Sequence, residues 1–188
     1  MLRCKPKRAL IVLAGIILCQ FLLYGHSLLG LKILLPLDIL TGPGVYLPRT
    51  PETKAIEIQN VYLTDLVYVV EPVRKFLGEE LRAGRWPLWM PAQFSGTPAA
   101  YTFFSPFLLL LALVSSPVIL AWGCLLMALI AGLGVYLFFR RVLQLRFWPS
   151  AIVSWCYPLT GFFVFWQNSH PFTAPIFIPD FRNLCANT

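Results

Sequence analysis

The stretch ALIVLAGIILCQFLLYGHSLLGL at positions 9–31 decides how the rest of this chain is read. It holds no acid and no base except His26 over 23 residues. At a rise of about 1.5 Å per residue, roughly 20 apolar residues in a helix cross a hydrocarbon core of about 30 Å. A signal-peptide core is shorter, about 7–15 residues, so this run reads as a retained first span. Working outward, Arg3, Lys5, Lys7 and Arg8 precede it, and a long polar loop follows it. Two more apolar runs come after the loop, at 118–139 and 147–166, with Arg140, Arg141 and Arg146 between them. An integral membrane protein with three transmembrane helices is the expected class.

Composition agrees with that class. The chain is 58% hydrophobic and 12% charged, with a mean hydropathy of +0.72, whereas a soluble domain carries about 25% charged residues. The net charge of +7 does not form the single basic patch a nucleic-acid surface needs. Basic residues gather instead on alternate connections, which is the positive-inside pattern. It places residues 1–8 and the turn at 140–146 in the cytoplasm, and the 32–102 loop and the 167–188 tail outside. Five cysteines are scattered without metal-ligand or disulfide-framework spacing, so no metal site and no cofactor is expected.

Inside the loop, prolines and glycines at 36–51 stop the first helix. Residues 55–63 have some strand-like alternation. From Asp65 the period becomes helical: Leu66, Val69, Val70, Val73, Phe76, Leu77 and Leu81 share one face. Arg74, Glu79, Glu80 and Arg82 fall mostly opposite. Pro72 predicts a kink or a fresh start, and Gly84 a stop. An amphipathic helix at 65–83, strongest at 72–83, is expected to lie on the outer membrane surface with Val73, Phe76 and Leu77 in contact with lipid or span ends. Next come Trp86, Trp89, Phe94, Tyr101, Phe103 and Phe104. They read either as an interfacial aromatic belt or as a rigid loop that seats a sugar or a lipid headgroup. The apolar piece at 103–116 is too short to span and is expected to be interfacial or re-entrant.

Several of these residues recur together in a recognisable order. They are Asn60, Asp65-Leu-Val-Tyr68, Pro72, Phe76, Gly84-x-x-Pro87-Leu-Trp89-x-Pro91, Phe94-Ser-Gly-Thr-Pro98, Ser105-Pro-Phe107, Tyr136, Arg140-Arg141 and His170-Pro171. In this order the chain resembles the N-terminal part of the YfhO-type bacterial membrane proteins. That family is similar to the polytopic glycosyltransferases of the GT-C fold, which use polyprenyl-phosphate sugars. It departs at Val69 and Met90, where the family carries Gln and Asn.

The resemblance implies an all-α, GT-C-like bundle in the bacterial cytoplasmic membrane. Its activity would move a sugar from a polyprenyl phosphate to an extracytoplasmic acceptor. Asp65 matches the family's acidic position, and Asp38 stands at the outer end of the first span, where such enzymes often carry an acid. A carboxylate there can take the acceptor's proton while cations stabilise the leaving phosphate. Asp65 would serve equally well as a helix N-cap. Asn60, Arg85, Trp86, Trp89, Gln93 and His170 are the implied substrate-binding residues. The family has many more spans, so a truncated or frameshifted N-terminal portion is expected, in contact with membrane lipid and other membrane proteins. The alternative is a small non-enzymatic membrane protein that packs against partner spans.

Overall fold

The computed structural model describes residues 6–42, 48, 50–91, 93, 95–98 and 106–169. The described residues are mostly helical, at 70% helix. In order the helices are α1 (Pro6–Leu28), α2 (Pro51–Lys54), α3 (Glu71–Arg82), α4 (Pro106–Ala112), α5 (Ile119–Arg141), α6 (Phe147–Cys156) and α7 (Gly161–Ser169). A short antiparallel pair, β1 (Trp89–Met90) and β2 (Thr97–Pro98), lies between α3 and α4. By contact the chain divides into two units: 1–32 with 121–167, and 33–120.

The first unit is built on α1, α5 and α6. Lys7–Leu28 and Ile119–Arg141 are long and apolar enough to cross a membrane. The first helix starts three residues before the expected position because Pro6, without an N–H to place, suits a helix start. It ends at Gly30, whose φ of +75° suits glycine, while the Leu31 N–H donates back to the His26 carbonyl. One face of α1 is buried at four-residue steps: Val12, Ile16, Gln20, Tyr24 and Leu28. Val12 and Ile16 join Ala128, Ala131, Tyr136, Ala151 and Phe163 in one apolar cluster. The Gln20 amide is buried there with no hydrogen-bond partner among the described residues, a costly position in an apolar interface.

Small residues let these helices approach closely. A Cβ at Gly132 would sit 2.7 Å from Ile16 Cδ1 and 3.0 Å from the Ser154 carbonyl oxygen. The Trp155 indole occupies the space a Cβ on Gly15 would need, and its Nε1–H donates to the Val12 carbonyl at 3.1 Å. The Arg8 guanidinium lies 5.3 Å from the Phe147 ring centre. The apolar run at 147–166, whose residues Pro158–Gly161 predict a kink, is interrupted there. Pro158 has no N–H to give the Ser154 carbonyl, so α6 tightens into a 3₁₀ turn, Tyr157–Leu159, and Thr160 is extended before α7.

The second unit centres on α3 and α4. A π-turn, Leu66–Val70, runs into α3 without leaving helical backbone, so Pro72, in the first turn of α3, marks a change of helical winding and not a fresh start. The apolar stripe of α3 does not face outward. Val73 and Leu77 are buried against Leu108 and Ala112 of α4 and Met90 of β1. Above them Leu66 and Val70 pack with Leu35, Leu111 and Leu120. The expectation that Val73, Phe76 and Leu77 meet lipid or span ends is therefore corrected: α4 and Met90 of β1 cover that stripe.

Arg74, expected on the polar face, is 1% exposed. All five of its N–H groups are used. Nε and Nη2 form a bidentate pair with Glu71 at 2.7 and 2.8 Å. The remaining donors reach the carbonyls of Leu111 (3.2 Å), Val114 and Ser115 (3.0 Å). These carbonyls belong to the end of α4 and the turn after it, where a helix leaves acceptors unsatisfied and carries partial negative charge. One turn further along α3, Gly78 lies directly on the Ala112 carbonyl, where no Cβ fits. One turn beyond that, Arg82 Nη1 donates to Ser115 Oγ at 2.5 Å. Arg74, Gly78 and Arg82 thus form one seat for the C-terminal end of α4.

Candidate functional site

Two local motifs meet at Asp38. The 3₁₀ turn Leu37–Thr41 carries it, and Thr41 Oγ1 donates to the Asp38 carbonyl at 2.7 Å. Pro51 starts the short helix α2, whose cap is reciprocal: the Thr53 N–H donates to Thr50 Oγ1, and the Thr50 N–H to Thr53 Oγ1. After α2 the chain runs irregularly back past Asp38, not as the strand-like stretch expected at 55–63. There the Gln59 N–H donates to Asp38 Oδ2 at 2.7 Å across 21 residues, a charge-assisted bond of ordinary short length.

Next to Asp38 and Gln59 in the chain, though not lined by them, is an open groove of about 490 Å³ whose walls include Thr41, Gly42, Thr53, Lys54, Glu57 and Ile58. Asp38 Oδ1 has no hydrogen-bond partner among the described residues, and Lys54 is the cation among the described residues that line the groove. Sequence reasoning named Asp38 but missed Thr41, Thr53, Lys54 and Glu57. The Thr50-Pro51-x-Thr53 cap was a readable local signal; the Asp38–Gln59 contact was not.

The other candidates sit in separate motifs. Asn60 Oδ1 accepts from the Tyr62 N–H at 3.0 Å and caps the turn Val61–Leu63. Asp65 is exposed in helical backbone and makes no side-chain cap to the π-turn it precedes, so the capping role is not one it plays there. Arg85 is exposed and bidentate to Glu80, at 2.9 and 2.5 Å. The hydrogen bond from Arg85, then its charge, holds the Glu80 carboxyl below its ordinary range.

Trp89 lies on β1 with its side chain outward while Met90 points into the core. Its indole rests on Gly96, where a Cβ would come within 2.7 Å of Cζ2, and Gly96 has a φ of +116°. Only glycine suits that position on both counts. Gln93 shapes the turn by accepting the Gly96 N–H at its carbonyl, 2.8 Å, and Thr97 Oγ1 at its amide oxygen, 3.5 Å. Trp86 is exposed just before the buried Pro87. His170 lies outside the described residues.

Comparison with protein-family models, with curated proteins and with solved structures found no match.

Proposed function

We propose that this chain is the N-terminal part of a polytopic membrane transferase that moves a sugar from a polyprenyl phosphate to an extracytoplasmic acceptor. In this reading Asp38 receives the proton of the attacking hydroxyl, and the groove beside it seats the acceptor or the donor phosphate near Lys54. The observation that supports the reading is Asp38 itself: one oxygen accepts the Gln59 N–H, the other has no partner among the described residues, and the residue stands ten positions beyond the end of the Lys7–Leu28 apolar helix. Asp65, which makes no helix cap, is the second acid. Three spans and a GT-C arrangement belong to this proposal, with α6 and α7 together as a broken third crossing. A second reading, a non-enzymatic protein packed against partner spans, draws on the outward apolar side chains of α1, Leu10, Leu18 and Leu22 among them.

A polyprenyl-phosphate sugar carrying a photoreactive group tests the first reading on membranes that contain the chain. Labelling is expected within 33–120, reduced about tenfold or more by Asp38→Asn if the carboxylate orients the sugar hydroxyls. Labelling no greater than that of an unrelated membrane protein would refute it, as would equal labelling of the Asn variant.

A further inference from the structure

At one end of the first unit cations gather without carboxylates. Lys7 and Arg8 lie in the first turn of α1, Arg140 and Arg141 close α5, and Arg146 immediately precedes α6. Contacts within this unit bring the two groups, far apart in sequence, to one place. The Arg8 guanidinium lies 5.3 Å from the Phe147 ring centre, and Arg146 is the residue before Phe147. The Phe147 ring in turn meets Tyr136, about one turn before Arg140, edge-on with ring centres 6.3 Å apart. Across the turn, Arg140 Nη1 donates to the Leu145 carbonyl. Residues 6–32 and 121–167 contain no Asp or Glu, so no carboxylate among the described residues of this unit neutralises these cations. Lys7, Arg8, Arg141 and Arg146 are exposed. Helix α6 begins beside them with no side-chain cap, and its first N–H groups add partial positive charge at the same end.

The same place displays apolar side chains. In the turn between α5 and α6, Val142, Leu143 and Leu145 are 46%, 48% and 36% exposed, and Trp148 follows at 60%. In a turn surrounded only by water each of these would hold apolar area in contact with water at a cost. Helix α1 begins and α5 ends at this turn, and both are long and apolar enough to cross a bilayer. Their own ends therefore put the turn at the boundary of the hydrocarbon. At that boundary apolar side chains reach the acyl region while guanidinium and ammonium groups meet lipid phosphates.

We infer that Lys7, Arg8, Arg141 and Arg146, with the exposed apolar side chains of the 142–145 turn, form a binding site for an anionic glycerophospholipid. The cations take its phosphate, and the apolar side chains take its glycerol and the first part of its acyl chains. The assignment rests on the reading of α1 and α5 as crossing helices and is independent of any sugar transfer.

Native mass spectrometry of the full chain, solubilised in detergent and mixed with phosphatidylglycerol or phosphatidylcholine of the same acyl chains, tests it. Phosphatidylglycerol should be retained about fivefold or more over phosphatidylcholine, since each cation near a lipid phosphate contributes about a factor of five. Lys7→Gln and Arg146→Gln, both at exposed positions, should each lower phosphatidylglycerol binding about fivefold. Arg8→Gln should do the same and Arg8→Lys should restore it, which separates lost charge from lost packing on Phe147. Lys32→Gln removes an equal charge beyond the far end of α1 and should leave binding unchanged. Equal retention of the two lipids would overturn the inference, as would an equal loss in Lys32→Gln. Displacement of the lipid by excess inorganic phosphate would also overturn it and give the site to a soluble anion. A chain that stays in solution with neither detergent nor lipid would overturn the crossing helices first, and this assignment with them.

Discussion

Replacing Arg74 by methionine keeps an unbranched apolar stem and removes all five N–H donors. Glu71, 8% exposed, would then hold a buried charge whose bidentate partner is gone; only Lys75, at 3.9 Å and largely exposed, remains near it. The carbonyls of Leu111, Val114 and Ser115 would lose their shared donor at the same time. Breaking a buried pair from one side costs about 3–5 kcal/mol. At 1.4 kcal/mol per factor of ten, that lowers the closed-to-open ratio of the α3–α4 pair by about a hundred- to several-thousand-fold. Hydrogen exchange of the full chain in lipid nanodiscs reads this directly, because amide protection reports local opening free energy. Protection should fall across Glu71–Arg82 and Pro106–Ala112 while the interior of α5 keeps its own. Adding Glu71→Gln should restore part of the loss by removing the unpaired charge, but not the part owed to the three carbonyls. Exchange in α3 unchanged to within about 0.5 kcal/mol, the scale of an ordinary surface substitution, would refute the seat built by Arg74.

Gly78→Ala should destabilise the same pair by about 1–3 kcal/mol, because the added Cβ meets the Ala112 backbone oxygen, which cannot rotate away. Gly25→Ala, whose nearest new neighbour is Phe21 Cδ1 at 3.6 Å, should be neutral or stabilising through helix propensity. Thermal unfolding in detergent that ranks the two alike would count against the close α3–α4 contact. The Glu80 carboxyl is held low by Arg85, so its link contributes above the ordinary glutamate value of about 4.3 and is lost as pH falls through the depressed one. Protease cutting after Arg85 should therefore rise on acidification below that range, and Glu80→Gln should abolish the pH dependence while raising the cutting rate at neutral pH.

Much of the helical organisation was legible because period and length carry it. The long apolar helices, the change of winding at Pro72 and the break near Pro158 all follow from local residues. What periodicity could not show is which neighbour covers a face. The stripe of Val73 and Leu77 reads the same whether lipid or α4 lies on it. Arg74 was assigned to the polar side because charge alone predicts exposure; the i, i+3 partner Glu71 was the sequence's only hint of burial. Strands of two residues have no period to detect, so β1 and β2 were invisible apart from Ser95-Gly96. At the site, Asn60 and Asp38 were nameable as residue types. The bond that joins Asp38 to Gln59 spans 21 residues of sequence, which no local pattern encodes.

Topology tests the central claim most directly. Tyr62, 83% exposed between Asn60 and Asp65, and Gln144, exposed in the turn between α5 and α6, belong on opposite sides of the membrane in this account. Each can be changed to cysteine in a chain lacking the native cysteines, and a membrane-impermeant maleimide added to intact cells. The account predicts that Tyr62→Cys is labelled at once and Gln144→Cys only after the membrane is permeabilised. The reverse order, or equal labelling of both in intact cells, would contradict it.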